Sequence, residues 1–111
     1  MEIEILYFDA CPFYKATEKT LREVIVGEGM DAGIELVAVN TEEKAQRVRF
    51  PGSPTIRVDG EDLFPVPRRS KYALGCRMYA TPKGFRGAPT AEMFGEALRK
   101  KEGAGGAKGS L

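Results

Sequence analysis

The change of pattern at Cys11-Pro12 restricts the fold more than any other feature of the chain. Residues 2–8 are a short run rich in Ile, Leu, Tyr and Phe, which is typical of a strand. After Pro12, apolar residues recur at steps of three and four, which predicts an amphipathic helix. Pro12 suits the first turn of that helix, where its missing N–H costs nothing. A strand followed at once by a helix indicates the start of a β-α-β unit with parallel strands.

The remaining pattern predicts three more strands and two more helices. The expected strands are residues 34–39, 55–58 and 76–80, and the expected helix caps are Asn40 or Thr41 and Thr90. The resulting order is β-α-β-α-β-β-α. It predicts an α/β fold with a mixed four-stranded sheet and helices on both faces.

The length of 111 residues suits one domain and is too short for two. We expect the domain to occupy residues 1–101. Residues 61–75 contain two prolines and little periodicity, which predicts a long loop. Residues 102–111 are rich in Gly and Ala and are expected to form a flexible tail.

Composition and charge narrow the functional classes. The net charge of +1 gives no global field for nucleic acid, and no apolar run approaches the ~20 residues of a membrane span. The start lacks the order of a signal peptide, so we expect a cytoplasmic protein with reduced cysteines. The absence of histidine removes Cys-His and Ser-His nucleophile pairs and His-ligated metal sites. No cofactor is expected.

The charge is uneven along the chain. Residues 1–50 hold six Lys/Arg and ten Asp/Glu, whereas residues 51–111 hold eleven and six. A basic second half favours an anionic ligand, but scattered solubilising charge is the more common cause.

Cys11 and Cys76 are the two cysteines, and they leave three alternatives: a disulfide, two independent thiols, or one working and one buried thiol. At the strand-helix junction, Cys11 would face the positive end of the helix dipole, with Lys15 about one turn on, and both lower a thiol pKa. The alternative is a small buried residue filling the junction. We expect a reactive thiol, because the junction would expose it.

Two short motifs in this element order resemble the thioredoxin superfamily, over about residues 2–101. They are Cys11-Pro12-Phe13-Tyr14 and Ser53-Pro54-Thr55. The resemblance implies a nucleophilic Cys11 with a cis-proline, Pro54, packed beside it. Tyr14 stands where the family's motif has its second cysteine, so no dithiol exists within the motif. The chain looks most like bacterial thioredoxin-like proteins with a later Cys-Arg-x-Tyr, some of which carry alkylmercury-lyase labels.

The resemblance also implies a substrate site around Cys11. Its expected binding residues are Pro12, Tyr14, Lys15, Ser53, Pro54 and Thr55. Ser53 would present its backbone to an extended thiol peptide or to glutathione. Tyr14 would contact the ligand or orient the thiol, or else cap the core. The basic residues Arg68, Arg69 and Lys71 either hold glutathione carboxylates or lie on a solvated loop.

Cys76 is the second candidate catalytic thiol. Simple topology places the start of a fourth strand far from Cys11, beyond the ~7 Å Cα limit for bridging. We therefore favour a half-buried Cys76 on a strand over a Cys76 thiol that resolves a mixed disulfide formed at Cys11. Asp9 is the sole carboxylate adjacent to Cys11 in sequence, either as an acid or as a turn residue.

These observations predict a thiol redox protein that acts through one nucleophilic cysteine, by thiol–disulfide exchange or through a glutathione mixed disulfide. The expected partner is a thiol or disulfide protein or glutathione, without nucleic acid or membrane. The alternatives are a non-catalytic binding module and a mercury or organomercurial thiol protein.

Overall fold

A computed structural model describes residues 1–67 and 71–109 of the chain. Over these residues it has an α/β fold with a mixed four-stranded sheet and three helices. The elements are β1 (Glu2–Tyr7), α1 (Tyr14–Gly27), β2 (Gly33–Ala38), α2 (Glu42–Arg47), β3 (Thr55–Val58), β4 (Glu61–Asp62), β5 (Tyr79–Thr81), β6 (Gly84–Arg86) and α3 (Ala91–Gly109).

The sheet has the strand order β2-β1-β3-β4. β1 and β2 are parallel, with Ile5 opposite Leu36, which confirms the predicted β-α-β unit. β3 is antiparallel to β1 and places Ile56 opposite Ile5. The C-terminal end of β1 lies beside the N-terminal end of β3, which brings the two predicted motifs together at one end of these inner strands.

Two apolar clusters cover opposite faces of the sheet, because consecutive residues of a strand point to opposite sides. Ile5 belongs to the cluster formed with α1 and α3, and the adjacent Leu6 belongs to the cluster formed with α2. Each fully buried aliphatic or aromatic side chain contributes about 1.5–3 kcal/mol. The core members on the first face are Ile3, Ile5, Leu21, Ile25, Ile56, Val58, Leu63, Tyr79, Phe94 and Leu98, and on the second Leu6, Val39, Ala45 and Phe50.

The fourth strand of the sheet differs from the prediction. It is β4, which follows β3 after a tight turn with positive φ at Asp59 (51°) and Gly60 (87°). Residues 76–80 were expected in that position. Instead, β5 pairs with β6 in a separate two-stranded hairpin. Because the turn at Asp59-Gly60 reverses the chain directly after β3, β4 pairs with the free edge of β3. Residues 76–80 therefore cannot pair there.

The helix ends are set by local hydrogen bonds. Thr41 and Thr90 accept the backbone N–H groups of Lys44 and Met93, both at 3.1 Å, as expected of N-cap residues. α1 begins at Tyr14, so Pro12 lies before the N-cap residue Phe13 and not in the first turn as predicted.

The C-terminal helix is longer than expected. A flexible tail was predicted for residues 102–111, whereas α3 continues to Gly109, and residues 110 and 111 lie outside the described part. Among the described residues, no helix combines the length and apolar character needed to cross a membrane.

Candidate thiol site

Cys11 lies in a tight turn directly after β1. Its N–H donates to the carbonyl of Phe8 at 2.9 Å, and Asp9 and Asn40 hold the turn through two reciprocal hydrogen bonds of 2.9 and 3.1 Å. The side chain is buried, with 3% exposure. The expectation that this junction exposes Cys11 is therefore wrong, since other parts of the chain cover it.

The loop before β3 covers one side of Cys11. The Ser53–Pro54 peptide bond is cis, the isomer implied by the sequence. The Cys11 thiol donates to the carbonyl of Ser53 at 3.6 Å, and the N–H of Phe8 donates to Ser53 Oγ at 3.2 Å. Ser53 is thus fixed to the end of β1 by both its side chain and its backbone.

Cys76 also lies next to Ser53, contrary to the prediction that it lies far from Cys11. It forms an isolated parallel bridge with Ser53. The Ser53 N–H donates to Gly75 O, and the Arg77 N–H donates to Ser53 O, both at 2.8 Å. Since the Cys11 thiol also donates to the carbonyl of Ser53, both cysteines lie beside this one residue. We call residues 75–80 the Cys76 segment.

The two sulfurs have different surroundings. Both are free thiols, but Cys11 is buried and Cys76 is exposed. Partial desolvation raises the pKa of Cys76, and negative charge on Cys11 and the hydrogen bond between the thiols raise it further.

The Cys76 segment has alternating burial, as expected for extended chain. Cys76, Met78 and Ala80 are exposed, whereas Arg77 and Tyr79 are buried. The inward residues anchor the segment, and the outward residues carry the thiol on an open face.

Arg77 is the main anchor. Its guanidinium donates to Asp62 at 2.8 Å and to Thr55 Oγ1 at 3.3 Å, and also to the carbonyl of Phe64. It lies 4.6 Å from the ring centroid of Tyr79, a cation–π distance. A buried arginine with several partners fixes the segment to both β3 and β4.

Tyr79 is the second anchor. Its hydroxyl donates to the carbonyl of Pro54, so the segment contacts the residue that follows Ser53 as well. Burial is the main cause that raises the pKa of this hydroxyl far above its ordinary value. The position of Arg77 and Tyr79 was not predicted. The Arg-x-Tyr spacing in the sequence could have indicated it, because residues two apart in a strand point to the same face.

The other expected binding residues have simpler surroundings. Pro12 and Lys15 are exposed, and the half-buried Tyr14 ring stacks on Tyr7 at 4.2 Å. Thr55 is buried, and its hydroxyl donates to Gly52 O at 2.6 Å.

The basic loop, for which a solvated surface was favoured over carboxylate binding, is described only in part. Lys71 is exposed, whereas Arg68 and Arg69 lie outside the described residues.

A groove of about 760 Å³ lies between β4 and α3. Its floor includes Leu63, Phe64 and Met93. The described residues that line it include neither cysteine. The two cysteines therefore lie at a different surface from this groove.

Comparison with known proteins gives no relative for this chain. No protein family matches the sequence, and the searches of characterised proteins and of solved structures likewise give no match.

Proposed function

We propose that this protein is a thioredoxin-like thiol–disulfide exchange domain in which Cys11 and Cys76 form a reversible intramolecular disulfide. The observation that carries the proposal is that both cysteines lie against Ser53: the Cys11 thiol donates to its carbonyl, and Cys76 forms a backbone bridge with it. The meeting of the Cys11-Pro12 turn with the Ser53-Pro54 turn supports the thioredoxin resemblance. Tyr14 occupies the position of the second cysteine in the family's Cys-x-x-Cys motif. In this proposal Cys76, from a distant part of the chain, supplies the second thiol.

The proposed reaction exchanges two thiols for one disulfide. In the oxidising direction, the dithiol protein and an external disulfide give the Cys11–Cys76 disulfide and two external thiols. Two electrons and two protons pass to the external partner. The reverse reaction reduces the protein at the expense of two external thiols.

The two-thiol reaction fits the geometry better than a monothiol reaction at Cys11. The resemblance implies that the backbone of Ser53 binds an external peptide or glutathione. Here the Cys76 segment already occupies both the N–H and the carbonyl of Ser53. A glutathione adduct on Cys11 would have to compete with this internal partner.

Mass spectrometry of the oxidised full-length protein tests the proposal. After treatment with oxidised glutathione, we expect the loss of two hydrogens and a cross-linked pair of peptides containing Cys11 and Cys76. Cys11→Ser and Cys76→Ser serve as matched controls: neither can form the cross-linked pair, and Cys11→Ser should accumulate a glutathione adduct on the exposed Cys76. Wild-type protein that gains a stable adduct on each cysteine, without the internal link, contradicts the proposal.

Capture of a soft metal ion is a second candidate, favoured by the same placement of the two cysteines. Thiolates are preferred ligands for soft cations, and both cysteines lie beside Ser53. Native mass spectrometry with mercury(II) should give one ion per chain that survives competition by a monothiol. Equal retention by Cys11→Ser and Cys76→Ser would exclude joint ligation.

A further inference from the structure

We propose that Cys76, and not Cys11, is the thiol that forms the mixed disulfide with an external partner, and that Cys11 resolves it. This inference rests on the proposed two-thiol exchange. The motif around Cys11 implies that Cys11 reacts first with the partner, whereas this inference gives that role to Cys76.

Access to the sulfur atoms is the first argument. Cys11 is 3% exposed, and its thiol donates to the Ser53 carbonyl, which also accepts a hydrogen bond from the Cys76 segment. Cys76 is exposed on the outer face of that segment. Exchange requires a sulfur of the partner to approach in line with the bond that breaks, so it needs an open side at the attacked sulfur.

The backbone around Ser53 is the second argument. A peptide reaching Cys11 beside Ser53 would have to displace two 2.8 Å hydrogen bonds made by the Cys76 segment. It would also have to work against the anchors at Arg77 and Tyr79, which are buried and hydrogen-bonded. A partner reaching Cys76 leaves all of these contacts in place.

The outer face of the segment leaves room for such a partner. Met78 is 55% exposed, and Phe85, whose strand partner is Ala80, is 68% exposed. Both lie on the side of the chain that carries the Cys76 thiol, because residues two apart in extended chain share a face.

The proposed reduction of the protein disulfide has two balanced steps. An external thiolate attacks Cys76 Sγ, the Cys11–Cys76 bond breaks, and Cys11 leaves as a thiolate. A second external thiolate then attacks the external sulfur of the mixed disulfide, so that Cys76 leaves and the partner disulfide is released. The Cys76 thiolate takes a proton from solvent.

Oxidation follows the same path in reverse. Cys76 loses its proton to solvent, and the resulting thiolate attacks an external disulfide, which releases one partner thiolate. That thiolate takes the proton from Cys11. The Cys11 thiolate then attacks Cys76 Sγ, which forms the internal disulfide and releases the second partner thiolate.

Single-cysteine variants of the full chain test the assignment. Cys11→Ser keeps Cys76, and Cys76→Ser keeps Cys11 with a residue of nearly the same size at position 76. Each is reacted with dithiodipyridine, and the release of thiopyridone is followed by absorbance. We expect Cys11→Ser to react at least about tenfold faster, because the reagent has access to the exposed Cys76 sulfur and not to the buried Cys11 sulfur. In concentrated urea the two rates should agree within about twofold, since burial is then lost.

A trapping experiment on the wild type provides a second readout that needs no variant. One equivalent of dithiodipyridine is added to reduced protein, the reaction is quenched with acid within its first turnover, and the adduct is mapped. An adduct on Cys76 supports the proposal. An adduct on Cys11, or a faster native reaction of Cys76→Ser, overturns it while the internal disulfide of the wild type still stands. Wild type that never forms this disulfide contradicts the proposed function itself.

Discussion

The guanidinium of Arg77 lies 2.8 Å from the carboxylate of Asp62, and this ion pair connects the Cys76 segment to the edge strand of the sheet. Arg77 is 7% exposed and Asp62 is 18% exposed, so water screens the pair only weakly. Because Arg77 follows Cys76 directly, the ion pair sets the position of the exposed thiol relative to the buried one.

Arg77→Gln is expected to lower the free energy of unfolding by about 3 kcal/mol, because it leaves Asp62 without its charged partner. It should also loosen the Cys76 segment and, in a Cys76→Ser background, accelerate alkylation of Cys11. Arg22→Gln is the control, since its ion pair with Glu18 lies within one helix at the surface. That change should cost no more than about 0.5 kcal/mol in urea denaturation. Equal losses in the two variants would contradict a special role for Arg77.

Gly52→Ala should displace the Cys76 segment by direct collision. Gly52 has φ +138°, and an added Cβ would lie 2.9 Å from Arg77 Cβ and 3.0 Å from Arg77 N. Gly60→Ala is a matched control, because its φ is +87° but the space around it is open. Both variants should lose about 1 kcal/mol from the strained φ. We expect Gly52→Ala to lose a further amount of about 1–3 kcal/mol and to speed Cys11 alkylation. Identical alkylation rates would count against the collision.

The parts of the fold that are coded locally were predictable. β3 at Thr55–Val58 agrees with the prediction at both ends, and Thr41 and Thr90 cap their helices through their own hydroxyls. Each of these features depends on a few neighbouring residues. The parallel pairing of β1 and β2 follows from the helix between them, so it was predictable as well.

The position of Cys76 was not predictable in the same way. It depends on an edge strand of two residues, Glu61–Asp62, which is too short to show periodicity. It also depends on a buried arginine, Arg77, a residue type that is seldom buried unless paired. The partner of Arg77 lies fifteen positions earlier in the chain, so no local pattern identifies it. Simple topology therefore separated two cysteines that the long connection brings together.

Alkaline pH is expected to destabilise the reduced protein through the two groups whose pKa is raised on folding. Burial raises the pKa of the Tyr79 hydroxyl above its ordinary 10.0, and the pKa of Cys76 is raised above 9.0. The unfolded chain therefore loses these protons first. Their contribution to stability is complete below about pH 9 and declines as the pH rises above that value. Urea midpoints at intervals between about pH 8 and pH 11 should show this decline.

Two variants separate the contributions to that decline. Tyr79→Phe should remove the part above about pH 10, and Cys76→Ser the part that begins near pH 9. At neutral pH, Tyr79→Phe should also cost about 1–2 kcal/mol, since it leaves the buried carbonyl of Pro54 without its donor. A slope in Tyr79→Phe that equals the wild-type slope above pH 10 would assign the decline to other groups.

Oxidation of the thiol pair is expected to stabilise the domain. A bond between Cys11 and Cys76 closes a loop of 65 positions, and loop closure of this length restricts the unfolded chain by about 4 kcal/mol. Equilibrium urea denaturation of the oxidised and reduced wild type measures the difference. Cys11→Ser, treated with the same oxidant and then freed of adducts, is the control and should show no change. A less stable oxidised form would mean that the segment has to distort to form the bond.

Salt should affect exchange at Cys76 differently for anionic and cationic disulfides. Residues 63–91 contain six Lys/Arg and no Asp/Glu, and the hairpin after Cys76 exposes Lys83 and Arg86. This field attracts anions and repels cations over about 10 Å at 0.1 M salt. In Cys11→Ser, the rate with oxidised glutathione should therefore fall as salt is raised, and the rate with cystamine should rise. Adding Lys83→Gln and Arg86→Gln to this variant should reduce both salt effects. Parallel salt dependences for the two disulfides would show that the basic residues do not act at the exchanging sulfur.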